Sequence, residues 1–247
     1  MPQDVALEFW YALSLMPLAS FDLKARVSDC LTASDASERG GGVCFAMRLR
    51  PQYLPVVQAE LCLAPGRARD LVGLVELFGG LGGARMAFER LGVDLAVYAC
   101  SEIQPEAVRV TTARWPDCIH WGDVRFVDAA KVKSLLAKAP HVRVVFVVGG
   151  SPCQGVSRIN VDRGGWRDER TRLARHIPRV AELIRSAAPG VKVHTLGENV
   201  SSMTASDRDA FADLYGSIPV ELCSGGCSPV KRPRLYWISW PSRGAPT

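Results

Sequence analysis

The sequence predicts an α/β fold in which helices cover both faces of a mainly parallel sheet and the last strand runs antiparallel. From residue 71 onward, short runs rich in β-branched residues alternate with stretches of helical periodicity, which is typical of strand–helix–strand units. A run of glycines directly follows the first apolar run, as at a tight strand-to-helix turn. The last two apolar runs are too close together for a crossover helix, so we expect them to pair antiparallel.

The strands are predicted from apolar runs, and the helices from the spacing of apolar residues and the residue types at their ends. The first strand is apolar apart from Glu76, Gly92 ends the first helix, and Pro105 opens the second helix, where its missing N–H is not needed. Ser206 is predicted to start the last helix, with aspartates in its first turn. The strands are predicted over residues 71–78, 95–100, 142–148, 191–196, 219–223 and 235–240, and the helices over residues 84–91, 105–114, 128–139, 169–188 and from 206 onward.

The composition is that of a globular chain with one large domain. Of its 247 residues, 48% are hydrophobic and 22% are charged, which is enough apolar material for a sizeable core. The net charge of +5 is compatible with a polyanionic partner but does not identify one. Irregular stretches broken by proline and glycine occupy the start of the chain, so we predict an N-terminal appendage over residues 1–70 and the main domain over residues 71–247.

Several classes of protein are excluded by the same pattern. No apolar run approaches the roughly 20 residues of a membrane helix. The apolar stretch over residues 9–18 follows acidic residues, which does not fit a secretory signal, so no membrane partner is expected. The eight cysteines contain no Cys-x-x-Cys pair and the histidines do not flank them, so we expect reduced thiols and no metal site.

The first strand and its glycine turn predict a binding site for a nucleotide-like ligand. Glycines at such a turn let a ligand approach the backbone at a helix N-terminus, although a turn with no ligand would have the same pattern. Glu102 ends the second strand, where an acid can accept hydrogen bonds from ribose hydroxyls. Asp123 follows the next strand-like segment and is interpreted as a polar contact to a base or, alone, as a residue that caps a helix.

A second group of residues predicts a nucleophilic site at the carboxyl edge of the sheet. Cys153 follows a buried strand, two glycines and a proline, which is an unusual setting for a core cysteine. Glu198 comes after the strand predicted to end near residue 196, and a carboxyl there would share that edge with Cys153. Arg232 and Arg234 flank a proline at the start of the last strand, where two guanidiniums can bind phosphate or a base carbonyl.

In this order and at these spacings, the segments ELFGGLGGAR, SEIQPEA, GDV, GGSPCQ, GENV and KRPRLYW resemble the successive motifs of DNA cytosine-5 methyltransferases. The similarity extends over residues 71–241. GGSPCQGVSRIN, GENVSSM followed by SDRDAF, and RPRLYW are most similar to the de novo class of eukaryotic DNA methyltransferases, whereas the glutamine of PCQ is shared with maintenance-type and bacterial members. The resemblance implies the Rossmann-like fold of class I S-adenosylmethionine-dependent methyltransferases.

The resemblance also implies S-adenosyl-L-methionine as the methyl donor. Glu102 would hold its ribose, and Asp123 with Val124 would meet its adenine. The acid that usually follows the motif phenylalanine is Gly79 here, which we expect to weaken cofactor binding. The residues implied to line the cofactor are Phe78, Gly79, Gly80, Gly82, Glu102, Ile103, Asp123 and Val124.

The catalytic roles implied by the resemblance fall on four residues. Cys153 would attack carbon 6 of a cytosine that has been flipped out of the DNA stack, since that atom is unreachable inside a duplex. Glu198 would bind the exocyclic amine and ring nitrogen 3, and Arg232 and Arg234 would lie beside the base. The residues implied to shape the active-site loop are Pro152, Gln154 and Asn199.

Members of this family continue past KRPRLYW and its strand with a target-recognition region and a final motif, whereas here only residues 241–247 follow the last predicted strand. Three alternatives stay open: a fragment, a catalytically impaired regulatory homologue, or a chain that obtains its missing DNA-binding surface from a protein partner or by self-association. Methylation of cytosine in transfer RNA is a further alternative, although GVSRIN after PCQ does not resemble that branch. A DNA substrate implies the nucleus in a eukaryote and the cytoplasm in a bacterium.

Overall fold

The computed structural model describes residues 30–37, 40–47, 71–224 and 231–240, the first two ranges as backbone only. Strands β1 (Cys30–Ser37) and β2 (Gly40–Met47) form a two-stranded sheet. They belong to the predicted appendage, the rest of which lies outside the described residues. The domain boundary at residue 71 therefore stays a prediction, as does the structure of residues 241–247.

A seven-stranded sheet forms the centre of the main domain. Its strands follow the order β5-β4-β3-β6-β7-β9-β8. All neighbouring strands from β5 to β7 pair in parallel, and β9 runs antiparallel to both β7 and β8. The predicted α/β fold with an antiparallel last strand is confirmed. The strands are β3 (Val72–Leu77), β4 (Leu95–Ser101), β5 (Ile119–His120), β6 (Val144–Gly150), β7 (Lys192–Val200), β8 (Val220–Cys223) and β9 (Pro233–Ile238).

Helices connect the strands and pack on both faces of this sheet. Val75 and Leu77 of β3 belong to a buried cluster with residues of the helices over 129–138 and 176–187, whereas Leu74 belongs to a different cluster with Phe88 of the helix over 83–90. Because alternate side chains of a strand point to opposite faces, these two clusters mark the two sides of the sheet. The helices are α1 (Gly83–Arg90), α2 (Pro105–Arg114), α3 (Ala129–Lys138), α4 (Glu169–Arg172), α5 (His176–Ala187) and α6 (Ala205–Tyr215). Within the described segments, none of them has the length and apolarity needed to cross a bilayer.

The long helix predicted over residues 169–188 is wrong as one element. It is divided into α4 and α5 by a 3-10 turn, Leu173–Arg175. Pro178 follows the turn within the first positions of α5 and has no N–H to bond the carbonyl four residues earlier, so a continuous helix would lack that hydrogen bond.

The predicted start of the last helix at Ser206 is also wrong. Thr204 is the N-cap of α6, because its hydroxyl accepts a hydrogen bond from the Asp207 N–H at 3.1 Å. Ser206 therefore lies inside the first turn of the helix.

Strand β7 extends further than predicted. The apolar run predicts an end near residue 196, but the strand continues to Val200 because β9 pairs with its second half. Glu198 is opposite Tyr236 of β9 on one side and opposite Gly150 of β6 on the other. Glu198 is thus held inside the sheet at its carboxyl edge, rather than on a loop after the strand.

Candidate active site

The glycine turn between β3 and α1 has a strained backbone. Phe78 has a φ of 57°, a left-handed conformation that a non-glycine residue rarely adopts and that costs about 1–3 kcal/mol. Gly80 and Gly82 also have positive φ values, of 52° and 80°. An added Cβ at Gly80 would meet no atom within 4 Å, so the turn leaves open space above its backbone. Strain of this kind is concentrated at ligand-binding turns.

Gly79 and Gly82 are fixed by close packing beneath the turn. A Cβ added at Gly79 would collide with the Sγ atom of Cys100, and a Cβ at Gly82 would collide with the ring of Trp115. The Cys118 thiol and burial raise the pKa of Cys100, which keeps it neutral at neutral pH. Cys100 therefore occupies the space that an acidic side chain at position 79 would need.

Glu76 connects this turn to the sheet, a role that is not predicted from the sequence. Its carboxylate is buried and accepts hydrogen bonds from the Ala84 N–H at 2.8 Å, the Arg85 N–H at 3.3 Å and the Tyr98 hydroxyl at 2.8 Å. Burial raises the pKa of Glu76, while these donors lower it. The only sign of this role in the sequence is a single acid near the end of an apolar strand. In the structure, this acid holds the start of α1 through the N–H groups of its first turn.

Glu102 connects the end of β4 to the same turn. Oε2 accepts a hydrogen bond from the Gly80 N–H at 2.8 Å, and Oε1 accepts bonds from the N–H groups of Ile103 and Gln104 at 2.7 and 2.8 Å. A carboxylate oxygen can accept two hydrogen bonds, so Oε2 keeps capacity for a ligand hydroxyl. Ile103 beside it is 65% exposed, an apolar side chain facing solvent next to this acceptor.

Asp123 and Val124 form a turn after β5. Asp123 caps a 3-10 turn, Val124–Phe126, and its carboxylate pairs with the exposed guanidinium of Arg125, whose Nε lies 2.9 Å from Oδ2. The hydrogen bonds from Arg125 lower the pKa of Asp123. Val124 is buried. A ligand that uses the Asp123 carboxylate would have to share it with Arg125.

Arg179 of α5 stabilises this turn by hydrogen bonds to its backbone, a role that the sequence does not predict. Its guanidinium donates to the carbonyl oxygens of Val124 at 2.8 Å and Val127 at 2.6 Å, and its Nε donates to Nδ1 of His176 at 2.9 Å. Burial and the positive charges of Arg179 and Arg175 lower the pKa of His176 to about 4, so its ring is a neutral acceptor at neutral pH. The two carbonyls lie more than fifty residues away in sequence, and no local pattern could have indicated the contact.

The Cys153 segment leaves the carboxyl end of β6 in a tight turn. The Cys153 carbonyl accepts hydrogen bonds from the N–H groups of Val156 at 3.0 Å and Ser157 at 2.8 Å. Its side chain is partly buried against a cluster that includes Val156 and Phe211. Residues 151–168, from the end of β6 to the N-cap of α4, are called the active-site loop below.

Asn199 and Gln154 stabilise the start of the active-site loop. Asn199 is fully buried, and its Nδ2 donates to the carbonyl oxygen of Ser151 at 3.1 Å and to its hydroxyl at 3.0 Å. The carbonyl of Gln154 accepts a hydrogen bond from Nδ2 of Asn160 at 2.8 Å. Pro152 and Cys153 thus lie between two anchored residues.

Glu198 and Arg234 form an ion pair at the same edge of the sheet. Nε of Arg234 lies 2.8 Å from Oε1 of Glu198, and both side chains are partly buried. A Cβ added at Gly150 would lie 2.8 Å from Oε2 of Glu198, so this glycine lets the carboxylate lie against the end of β6. Arg232 is partly buried, and its carbonyl accepts a hydrogen bond from the Ser224 N–H at 3.4 Å. The fold therefore brings the Glu198–Arg234 pair beside the strand that leads directly into Cys153.

Comparison with known proteins identifies a family for most of the main domain. The model of the C-5 cytosine-specific DNA methylase family matches residues 72–215. The chain is 28% identical over 177 residues to the orphan methyltransferase M.SPRI of Bacillus phage SPR, covering 67% of this chain and 37% of the phage protein. It is 31% identical over 110 residues to the type II methyltransferase M1.HphI of Haemophilus parahaemolyticus, covering 44% of this chain and 28% of that protein.

Among solved structures, a Spodoptera frugiperda DNMT2 mutant is similar, with 22% identity and a TM-score of 0.49, covering 71% of this chain and 53% of that one. The chain covers about a third of the length of each of the two methyltransferases M.SPRI and M1.HphI.

Proposed function

Since the chain belongs to the C-5 cytosine-specific DNA methylase family, we propose that it transfers a methyl group from S-adenosylmethionine to carbon 5 of cytosine in DNA. The observation that carries the proposal is the position of Glu198, paired with Arg234, beside the strand that ends in the Cys153 loop. Within the family, the segments GGSPCQGVSRIN and RPRLYW support the de novo class of eukaryotic enzymes. The reaction would take place where the genome is kept.

The residues around the glycine turn fit S-adenosylmethionine. The space above Gly80 is open, the exposed Ile103 offers an apolar surface, and Glu102 keeps an acceptor for a ribose hydroxyl. Asp123 and Val124 would meet the adenine on the neighbouring turn, which Arg179 holds in place. When bound, the cofactor supplies a methyl group carried on a positively charged sulfur.

Cys153 and Glu198 would activate the cytosine base for methyl transfer. The Cys153 thiolate attacks carbon 6 of the flipped cytosine, while the protonated carboxyl of Glu198 donates its proton to ring nitrogen 3 and its other oxygen accepts a hydrogen bond from the amine, so the charge that builds up on the ring is neutralised. The adduct makes carbon 5 nucleophilic enough to accept the methyl group. Loss of the carbon 5 proton to solvent then expels Cys153 as the thiolate, and the proton on nitrogen 3 returns to Glu198, which restores the aromatic ring. Arg234 keeps the Glu198 carboxylate oriented throughout, and Arg232 would lie beside the base.

The tip of the active-site loop has the composition of a surface that contacts nucleic acid. Ile159 is 92% exposed and Val161 is 95% exposed, and both lie between Arg158 and Arg163. Arginines can neutralise phosphates, while exposed apolar side chains can occupy space between bases. This supports a polynucleotide substrate and the flipping of its base.

The test is tritiated methyl transfer from S-adenosylmethionine, with duplex DNA and transfer RNA as separate substrates and Cys153→Ala as the inactive control. The proposal expects label in DNA with the wild type and none with Cys153→Ala. If only transfer RNA is labelled, the substrate is RNA, and the proposed DNA substrate is wrong. If calorimetry detects the cofactor but neither substrate is labelled at any protein concentration, the chain is a regulatory binding module, and DNA methylation by this chain is refuted. Transfer that increases steeply with protein concentration would support self-association as the source of further DNA-binding surface.

A further inference from the structure

Asp207, in the first turn of α6, is a buried acid with two partners. Its side chain is 6% exposed. Oδ1 accepts a hydrogen bond from the Trp166 N–H at 2.8 Å, and Oδ2 accepts one from the Thr204 hydroxyl at 2.7 Å. Trp166 belongs to the active-site loop, 41 residues earlier in the chain. Asp207 therefore links the N-cap of α6 to the far end of the segment that carries Cys153.

Gly165 and Trp166 pack closely against Asp207 and the rest of α6. Gly165 has a φ of 58°, and a Cβ added there would lie 2.7 Å from Oδ1 of Asp207. The indole of Trp166 packs edge-on against Phe211 of α6, with ring centroids 5.1 Å apart. Gly165 and Trp166 are thus held against α6 in two ways, by the Asp207 carboxylate and by the packing of the indole on Phe211.

The anchored end of the loop is joined to its beginning. The Gly165 N–H donates to the carbonyl oxygen of Gly155 at 2.8 Å. Gly155 lies two residues after Cys153, and the Cys153 side chain contacts the same cluster as Trp166 and Phe211. A displacement of Gly165 and Trp166 would therefore be transmitted to the Cys153 turn through one hydrogen bond and one shared apolar cluster.

We propose that Asp207 is a positioning residue for Cys153: it holds Gly165 and Trp166 on α6 and thereby fixes the orientation and exposure of the Cys153 side chain. The effect on catalysis rests on the proposed function, whereas the effect on the exposure of Cys153 does not. Asp207 touches neither the glycine turn nor Glu102 in the described structure, so cofactor affinity should not depend on it.

The experiment compares Asp207→Ala with Asp207→Asn in the full chain. Asparagine keeps an acceptor for the Trp166 N–H and can donate to the Thr204 hydroxyl, whereas alanine removes both contacts. Asp209→Ala is the matched control, because Asp209 is exposed two residues further along the same helix. Three quantities are measured: the rate at which iodoacetamide alkylates Cys153, followed by mass spectrometry of its peptide; the dissociation constant of S-adenosylmethionine; and kcat for methyl transfer.

Asp207→Ala should raise the alkylation rate of Cys153 about tenfold and lower kcat about 100-fold, since a misplacement of about 1 Å can cost that much. Asp207→Asn and Asp209→Ala should remain within about threefold of the wild type, and cofactor affinity should be unchanged in all. Wild-type alkylation and kcat in Asp207→Ala would overturn the proposal, as would equal losses in the alanine and asparagine variants.

A second variant guards against a general loss of folding in Asp207→Ala. Gly165→Ala introduces the Cβ that collides with Asp207 while leaving α6 intact, and it should raise the alkylation rate in the same direction. No change in Gly165→Ala would refute the positioning role. If the wild type transfers no methyl group, the proposed function fails, but the alkylation rates still decide whether Asp207 positions Cys153.

Discussion

Nε of Arg234 lies 2.8 Å from Oε1 of Glu198, which joins the last strand of the sheet to the carboxylate at the edge where β6 leads into Cys153. Both groups project from paired, antiparallel strands, in which Val200 is opposite Arg234 and Glu198 is opposite Tyr236. The pair is therefore positioned by backbone pairing and does not depend on a flexible loop. This arrangement makes the ion pair a direct target for mutation.

Arg234→Met should lower kcat for methyl transfer about 100-fold, because Glu198 loses the cation that orients it toward the base. Arg234→Lys should lose part of this rate, since an ammonium keeps the charge but not the planar guanidinium geometry. Cofactor affinity, measured by calorimetry, should change less than twofold. Arg208→Met, an exposed arginine on α6, is the control. Equal activity in Arg234→Met and the control would contradict a role for the pair.

Glu102→Ala should weaken S-adenosylmethionine binding about tenfold, or roughly 1.4 kcal/mol, through the loss of the ribose acceptor and of the bond to the Gly80 N–H. Glu102→Gln keeps one acceptor oxygen, so its affinity for S-adenosylmethionine should lie between those of the wild type and Glu102→Ala. Calorimetric titration measures both variants against Glu106→Ala, which removes an exposed acid of α2. Unchanged affinity in Glu102→Ala would mean that the ribose lies elsewhere.

Gly79→Ala should destabilise the fold by about 1–3 kcal/mol, because the new Cβ collides with the Cys100 Sγ. Cys100→Ala removes that sulfur, so the double variant should be more stable than the sum of the two single effects predicts. Urea unfolding measures all three free energies. Strictly additive values would show that the sulfur is not what keeps position 79 a glycine.

The stability of the protein should fall as the pH drops from about 6.5 to about 4 through the titration of His176. Burial and the nearby arginines lower its pKa to about 4 in the folded state, so the unfolded chain binds more protons in this window. The contribution is present above the unfolded pKa and is lost as the pH falls, by up to about 3 kcal/mol.

His176→Gln is the comparison for that prediction, because glutamine can still accept from Nε of Arg179 but does not titrate. The difference in unfolding free energy between wild type and variant, measured at several pH values, isolates this histidine from the carboxylates. A difference that is constant from pH 4 to pH 7 would refute the assignment.

The sequence could predict that residues directly after the parallel strands lie at one edge of the sheet. The glycine turn after β3, Glu102 after β4 and Cys153 after β6 each follow an apolar run, and the carboxyl ends of parallel strands meet at one edge of a sheet. The order of the elements and the antiparallel last strand followed from the same runs. These predictions need only local patterns and a general rule of α/β topology.

Contacts between distant segments could not be predicted in this way. The bonds from Arg179 to the Val124–Val127 turn and from Trp166 to Asp207 join residues far apart in sequence, and nothing near Arg179 or Asp207 marks it as a partner. The extension of β7 to Val200 depends on pairing with β9, which arrives more than thirty residues later. Sequence patterns show which residue types are available, whereas packing decides which of them meet.

The proposed methyl transfer depends on a covalent bond between Cys153 and a cytosine in DNA, and this bond can be trapped. In DNA that carries 5-fluorocytosine, the fluorine at carbon 5 cannot leave as a proton does, so the cysteine is not expelled after methyl transfer. Incubation with S-adenosylmethionine followed by mass spectrometry should find the DNA attached to the peptide that contains Cys153. Methylation of ordinary DNA with no adduct, or with the adduct on another cysteine, would show that Cys153 is not the nucleophile.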